Sequence, residues 1–249
     1  MVYELDDLRY ILNMPIEIDG IGRIYPFTME EYALYSHYFN VLTVTVDLYL
    51  QQIDSKEKEL RKEIESKVKN FDIVCSQKEF VELLLSLLSI SFKPKRLKYC
   101  PVLQRILIND GLITRDNYDY IRNEIIKVNN IRLPKQAKTK ELQEWFDKAY
   151  KARNAQNKNA GDMEDIITSI MAFTGYTPED IKKMTVYQVN KLIARLNKIS
   201  EYNTNIQFLC AGAEKINLEH WSSKINNGND DITVDYDDFV STMKSFEKM

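Results

Sequence analysis

Between residues 162 and 201 the chain carries three helix starts in close succession, and together they leave room for little except helical structure. Asp162 stands where an N-cap belongs, ahead of Ile166, Ile167, Ile170 and Met171 at helical spacing, and Gly175 ends the run. Thr177 caps the next helix, with Pro178 at the first helical position, where its missing N–H costs nothing. Thr185 and Gln188 then have the spacing of a capping box and open a long amphipathic helix. Its apolar face holds Val189, Leu192, Ile193, Leu196 and Ile199.

The same start signal recurs upstream. Thr28 with Glu31 predicts a capping box, with Phe27 and Tyr32 placed as a hydrophobic staple, and a helix running through Tyr35, Phe39 and Leu42 toward Leu50. The β-branched run at residues 41–46 works against its far end. Ser76 with Glu79 predicts a second box, with Cys75 and Phe80 as staple, opening a core helix over 80–90. A Lys/Glu-rich helix is expected from Asp54 to Lys69 with a thin stripe of Leu60, Ile64 and Val68. Further helices are predicted over 103–108, over 118–128 with Thr114 as cap after Gly111, and over 140–153. Strand structure is expected only at residues 16–25, where isoleucines flank Asp19-Gly20, a pair suited to a tight hairpin turn.

Only 7 Gly and 6 Pro interrupt 249 residues, while 15 Tyr and 10 Phe supply packing material. The expected class is mainly α, formally α+β with a small N-terminal β-hairpin. The segment NAQNKNAG at 154–161 lacks periodic apolar residues and reads as a linker. It divides a bundle-like domain at 1–153 from a C-terminal helical unit at 162–249. That unit ends with Trp221, a polar turn at 226–231 and a short element over 236–246.

No residue pattern points to catalysis. The two histidines, His37 and His220, lie in aromatic surroundings and read as packing residues, His37 partly buried. No H-E-x-x-H, G-x-S-x-G or Walker-type sequence occurs. The cluster Asn229, Asp230, Asp231, Asp235, Asp237 and Asp238 lacks the register of an EF-hand loop and reads as a solvated acidic turn. Asp162, Glu164 and Asp165 read as compensation for a helix dipole. Cys75, Cys100 and Cys210 are odd in number and widely spaced, so reduced, partly buried thiols are expected and no disulfide or zinc framework. No cofactor, metal or small-molecule substrate is therefore expected, and the protein is read as a non-enzyme that binds another macromolecule.

The apolar stretch at 81–92 is too short and too interrupted to cross a bilayer, and the opening with Asp6, Asp7 and Arg9 is unlike a signal peptide, so a cytoplasmic protein with no membrane partner is expected. The net charge of −3 comes from 34 basic and 37 acidic residues mixed along the chain and offers no global field for nucleic acid. A local patch at Lys93, Lys95, Arg96 and Lys98, with Lys191, Arg195 and Lys198 on one helix face, is the nearest approach to one. Nucleic acid is thus not the favoured partner. Tyr32, Tyr35, Phe39, Leu192 and Leu196 are the candidate partner-binding residues, and an oligomer is compatible with them.

The segment 175–198, GYTPEDIKKMTVYQVNKLIARLNK, resembles the small helical tail assembly chaperones of tailed bacteriophages. In those proteins a Pro-acidic helix start leads to a turn ending in Met-Thr, from which an amphipathic helix departs. Pro178, Glu179, Asp180, Met184 and Thr185 are the matching residues here. The opening PIEIDGIGRIYPFTMEEY at 15–32 is similar to the start of proteins from phage structural-gene clusters. The resemblance implies a protein that binds the helical tape-measure protein and recruits tail-tube subunits in the host cytoplasm. The alternative it implies is a virion component of the neck, tail or baseplate.

Overall fold

The computed structural model describes residues 8–53, 56–131, 133, 136–156, 162–214 and 216–225. Strands β1 (Ile16–Ile18) and β2 (Gly22–Ile24) form the expected hairpin, with Ile16 opposite Ile24 and Gly20 at a positive φ of 70° in the turn. Alternation sends Ile16, Ile18 and Ile24 inward and leaves Glu17 and Arg23 paired on the outside. Helix α1 (Met29–Tyr35) follows, and its capping box is complete. Glu31 N donates to Thr28 Oγ1 at 3.2 Å, and Thr28 N donates to Glu31 Oε2 at 3.0 Å.

Beyond Tyr35 the backbone departs from the expected continuous helix. Residues Ser36–Thr43 tighten into a 3-10 helix, the chain extends at Val44, and Thr45 caps a short new helix α2 (Val46–Leu50) through Leu48 N. The β-branched residues in this stretch crowd a helix at χ1, and Thr43 and Thr45 offer their hydroxyls to backbone groups instead. Phe39, Val41 and Leu42 become core.

Helix α3 (Lys58–Lys67) differs from its predicted stripe: Leu60 is exposed, whereas Arg61 is only 8% exposed. The capping role expected of Ser76 is also corrected. Ser76 closes a preceding helix, α4 (Asn70–Ser76), and its hydroxyl donates to Ile73 O. Helix α5 (Lys78–Phe92) starts after Gln77 without a side-chain cap. It is the expected core helix, burying Val81, Leu84, Leu87, Leu88 and Phe92, each contributing roughly 1.5–3 kcal/mol by removal from water.

The predicted helix at 103–108 is absent. In its place β3 (Leu97–Cys100), β4 (Arg105–Ile108) and β5 (Gly111–Ile113) form an antiparallel meander in sequence order. A two-residue turn at Asn109-Asp110 joins β4 to β5, with Asn109 at φ 51°, a conformation asparagine tolerates. Ile106, Ile108 and Ile113 face the core together, so a run that also fits a helix stripe serves a sheet.

Helix α6 (Tyr118–Val128) starts from Asn117, one turn later than the predicted cap. Thr114 instead donates its amide to Asn117 Oδ1. At the far end Asn129, 1% exposed, accepts from Phe27 N at 2.7 Å and donates to Ile125 O at 2.9 Å. Replacing it by alanine strands a buried amide, so Asn129→Ala is expected to cost about 2–3 kcal/mol in urea unfolding.

Helices α7 (Lys140–Gln156), α8 (Met163–Thr174), α9 (Pro178–Lys183) and α10 (Val186–Cys210) complete the chain. The three starts predicted at Asp162, Thr177 and Thr185 are present, as is the left-handed stop at Gly175. Of the predicted linker, residues 154–156 continue α7 and residues 157–161 lie outside those described. So do the acidic cluster at 229–238 and the element expected at 236–246.

The two capping boxes meet. Thr28 and Thr185 form an antiparallel bridge, with Met29 N donating to Met184 O at 2.8 Å and Val186 N to Phe27 O at 3.2 Å. Residues 162–191 are thereby tied to the N-terminal region. By its internal packing the chain divides into two compact units, Met1–Lys191 and Leu192–Met249.

A candidate protein-binding groove

Within the first unit the 3-10 helix packs on α5, and a groove of about 520 Å³ lies between α5 and the residues from Glu31 to Tyr38. Tyr35 and Tyr38 stack on one wall, with ring centroids 6.1 Å apart and planes 6° from parallel. Leu85, Ser86, Ser89 and Ile90 form the other wall, and Glu31 and Lys93 close the end.

The closing pair is held from both sides. Lys93 sits in the left-handed conformation, φ 47°, because Pro94 behind it bars a continued helix. Its amide still donates to Ser89 O at 3.0 Å. That turn carries the ammonium to 2.9 Å from Glu31 Oε1 and 5.5 Å from the centroid of the Tyr25 ring. Glu31 thus serves the capping box with one oxygen and Lys93 with the other. Both side chains are partly solvated, so the ion pair itself contributes under about 1 kcal/mol. What it supplies is fixed charge of each sign at the end of a trough in which tyrosine, leucine and isoleucine side chains alternate with Ser86 and Ser89.

The structure brings together Tyr35 and Lys93, which the sequence had suggested as members of separate surfaces. Tyr32 is half-buried, its ring 6.2 Å from that of Phe39. Phe39 is corrected from partner-binding residue to core: it is 7% exposed and packs on Phe27 at 4.8 Å. The rest of the basic run points elsewhere. The amides of Lys95 and Arg96 are held by Asn109 Oδ1, and Lys98 lies exposed on β3. Leu192 and Leu196 are half-buried and belong to the second unit.

His37 is exposed, not partly buried as expected, with its ring 4.1 Å from that of Tyr38. His220 is exposed and shares a hydrogen bond of 2.6 Å with Ser222 Oγ. Burial pushes the Cys75 thiol up, and burial with the Cys75 contact pushes the Tyr99 hydroxyl up to about 12. Both groups therefore hold their protons at neutral pH. Among the described residues no group of three or more His, Cys, Asp or Glu is close enough to hold a metal ion. No described helix is long and apolar enough to cross a membrane.

A second cavity, of about 310 Å³, lies beside Thr45, Asn70, Arg122 and Gln136. Its polar groups are turned to one another or to backbone. Gln136 donates to Thr43 O at 2.6 Å, Asn70 donates to Asp119 at 2.8 Å, and Arg122 donates to Leu42 O at 2.8 Å. This is a polar latch between segments.

The SPbeta prophage-derived uncharacterized protein YomV of Bacillus subtilis (strain 168) is 28% identical over 228 residues, covering 90% of this chain and 89% of that protein. The chain is similar to a prophage protein. A family model described as the YomV second domain matches residues 155–226. Its start falls within the segment read as a linker, and its span includes residues 175–198. No solved structure matches the chain. The similarity supports a phage origin.

Proposed function

We propose that the chain is a non-enzymatic phage tail assembly protein that seats an amphipathic helix of the tape-measure protein in the Tyr35–Lys93 groove and recruits tail-tube subunits in the host cytoplasm. The observation that carries this reading is the groove's composition: stacked tyrosines face Leu85 and Ile90, and a carboxylate and an ammonium mark one end. An amphipathic helix laid in such a trough buries its apolar face and meets both signs of charge at the rim. Likeness to a prophage protein and the resemblance of residues 175–198 to tail assembly chaperones point the same way.

The test is co-expression with the tape-measure protein encoded in the same phage genome, followed by affinity measurement. Tyr35→Ala is expected to weaken the complex about 30-fold, the loss of an aromatic anchor worth roughly 2 kcal/mol. Thermal stability should stay nearly constant, because Tyr35 is already 36% exposed. Unchanged affinity in Tyr35→Ala combined with Lys93→Glu removes the groove from the interface. The protein's presence in purified virions favours the neck, tail or baseplate reading over the chaperone.

A further inference from the structure

The second half of α10 carries a seven-residue repeat distinct from the groove. With Leu196 at an a position, Leu192, Ile199 and Ile206 fall at d, and Asn203 and Cys210 at the following a positions. The four aliphatic side chains are half-buried, whereas Asn203 and Cys210 are exposed. The segment 216–225 uses the neighbouring helix face. Arg195 donates to Ser223 O at 3.0 Å, Lys198 pairs with Glu219 at 2.9 Å, and the rings of Tyr202 and His220 lie 5.6 Å apart.

We infer that this seam pairs with the same seam on a second copy of the chain, parallel and in register. Asn203 selects that occupant. Its carboxamide has both donor and acceptor, and in a parallel pair the two copies face each other at one level and satisfy one another. An apolar partner helix would strand the carboxamide on burial. The flanking e positions, Ser200 and Gln207, are exposed and uncharged and raise no obstacle, while Arg195 and Tyr202 at g stay with the segment 216–225. The helix is continuous from a capped start at Thr185, so pairing does not have to order it.

Cys210 reports the orientation. In a parallel pair the two Cys210 residues stand opposite each other at an a level, within the roughly 4.4–6.8 Å between Cα atoms that a disulfide needs. In an antiparallel pair centred on Asn203, Cys210 faces residue 196 and lies about 20 Å from its counterpart.

The full chain is examined by sedimentation equilibrium under reducing conditions and then treated with diamide, which takes up two electrons and two protons as the disulfide forms. The expected result is twice the monomer mass and a cross-linked two-chain band that disappears in Cys210→Ser. Asn203→Glu places two carboxylates at one level of the seam but alters only an exposed residue of the monomer. It should sediment as a folded monomer with an unchanged circular dichroism spectrum. A wild-type chain that is monomeric at micromolar concentration overturns the inference. So does a dimer that fails to cross-link through Cys210 or that persists in Asn203→Glu.

Discussion

Gly111→Ala is expected to destabilise the first unit by about 3 kcal/mol, at the top of the usual range for overpacking, which corresponds to a fall of roughly 6–12 °C in its melting temperature. Gly111 opens β5 opposite Ile108, and the turn of the N-terminal hairpin lies directly against it. A methyl group there would sit 2.4 Å from Gly20 O and 2.6 Å from Ile21 Cα. These are backbone atoms, so no side chain can swing aside and the hairpin itself must move. That hairpin holds Ile16, Ile18, Ile21 and Ile24, all buried, so the displacement spreads into the core. Gly20→Ala is the control. Nothing lies within 4 Å of a Cβ at Gly20, but its φ of 70° strains a side-chain-bearing residue by roughly 1–2 kcal/mol. Thermal unfolding of both variants separates close approach from backbone freedom. If Gly111→Ala melts no lower than Gly20→Ala, hairpin and meander do not abut in this way.

Arg61→Ala is expected to cost about 3–5 kcal/mol, read as a shift of the urea midpoint. The guanidinium is nearly buried and donates to three carbonyls: Leu50 O at 2.8 Å, Ile53 O at 3.0 Å, and Lys138 O. Leu50 ends α2, where a positive charge is favoured beside the last carbonyls. Truncation removes this donor from all three, and although Leu50 O keeps the Ile53 amide at 3.2 Å, each carbonyl left buried and unpaired costs roughly 1–3 kcal/mol. Arg61→Lys restores the charge but not the fork that reaches three segments, so it is expected to recover less than half of the loss. A lysine variant as stable as wild type would mean that charge alone, not geometry, holds this junction.

The helix starts at Thr28, Asp162, Thr177 and Thr185, and the stop at Gly175, were determined by the sequence itself. Capping is an exchange between a side chain and an amide three residues away, and a left-handed stop is a property of one residue, so neither depends on distant chain. The hairpin turn at Asp19-Gly20 was legible for the same reason. Tyr35 and Lys93 were each visible as candidates from their own surroundings.

What only tertiary structure decided is where partners come from far along the chain. Residues 103–108 contain apolar spacing that suits a helix or a strand, and the choice went to β4 because Leu97–Cys100 and Gly111–Ile113 flank it with hydrogen bonds. Ser76 has the spacing of a cap, yet it closes one helix because Phe71 and Val74 before it are drawn wholly into the core. Phe39 reads like any exposed aromatic until Phe27 packs against it, and Arg61 reads as one more charge on a solvated helix until three carbonyls surround it. The groove belongs with these: Glu31 and Lys93 sit 62 residues apart, and the packing of the 3-10 helix on α5 is what makes one surface of them. Local backbone chemistry is written in neighbouring residues, whereas burial depends on which distant face arrives, and that is settled only when the whole core packs.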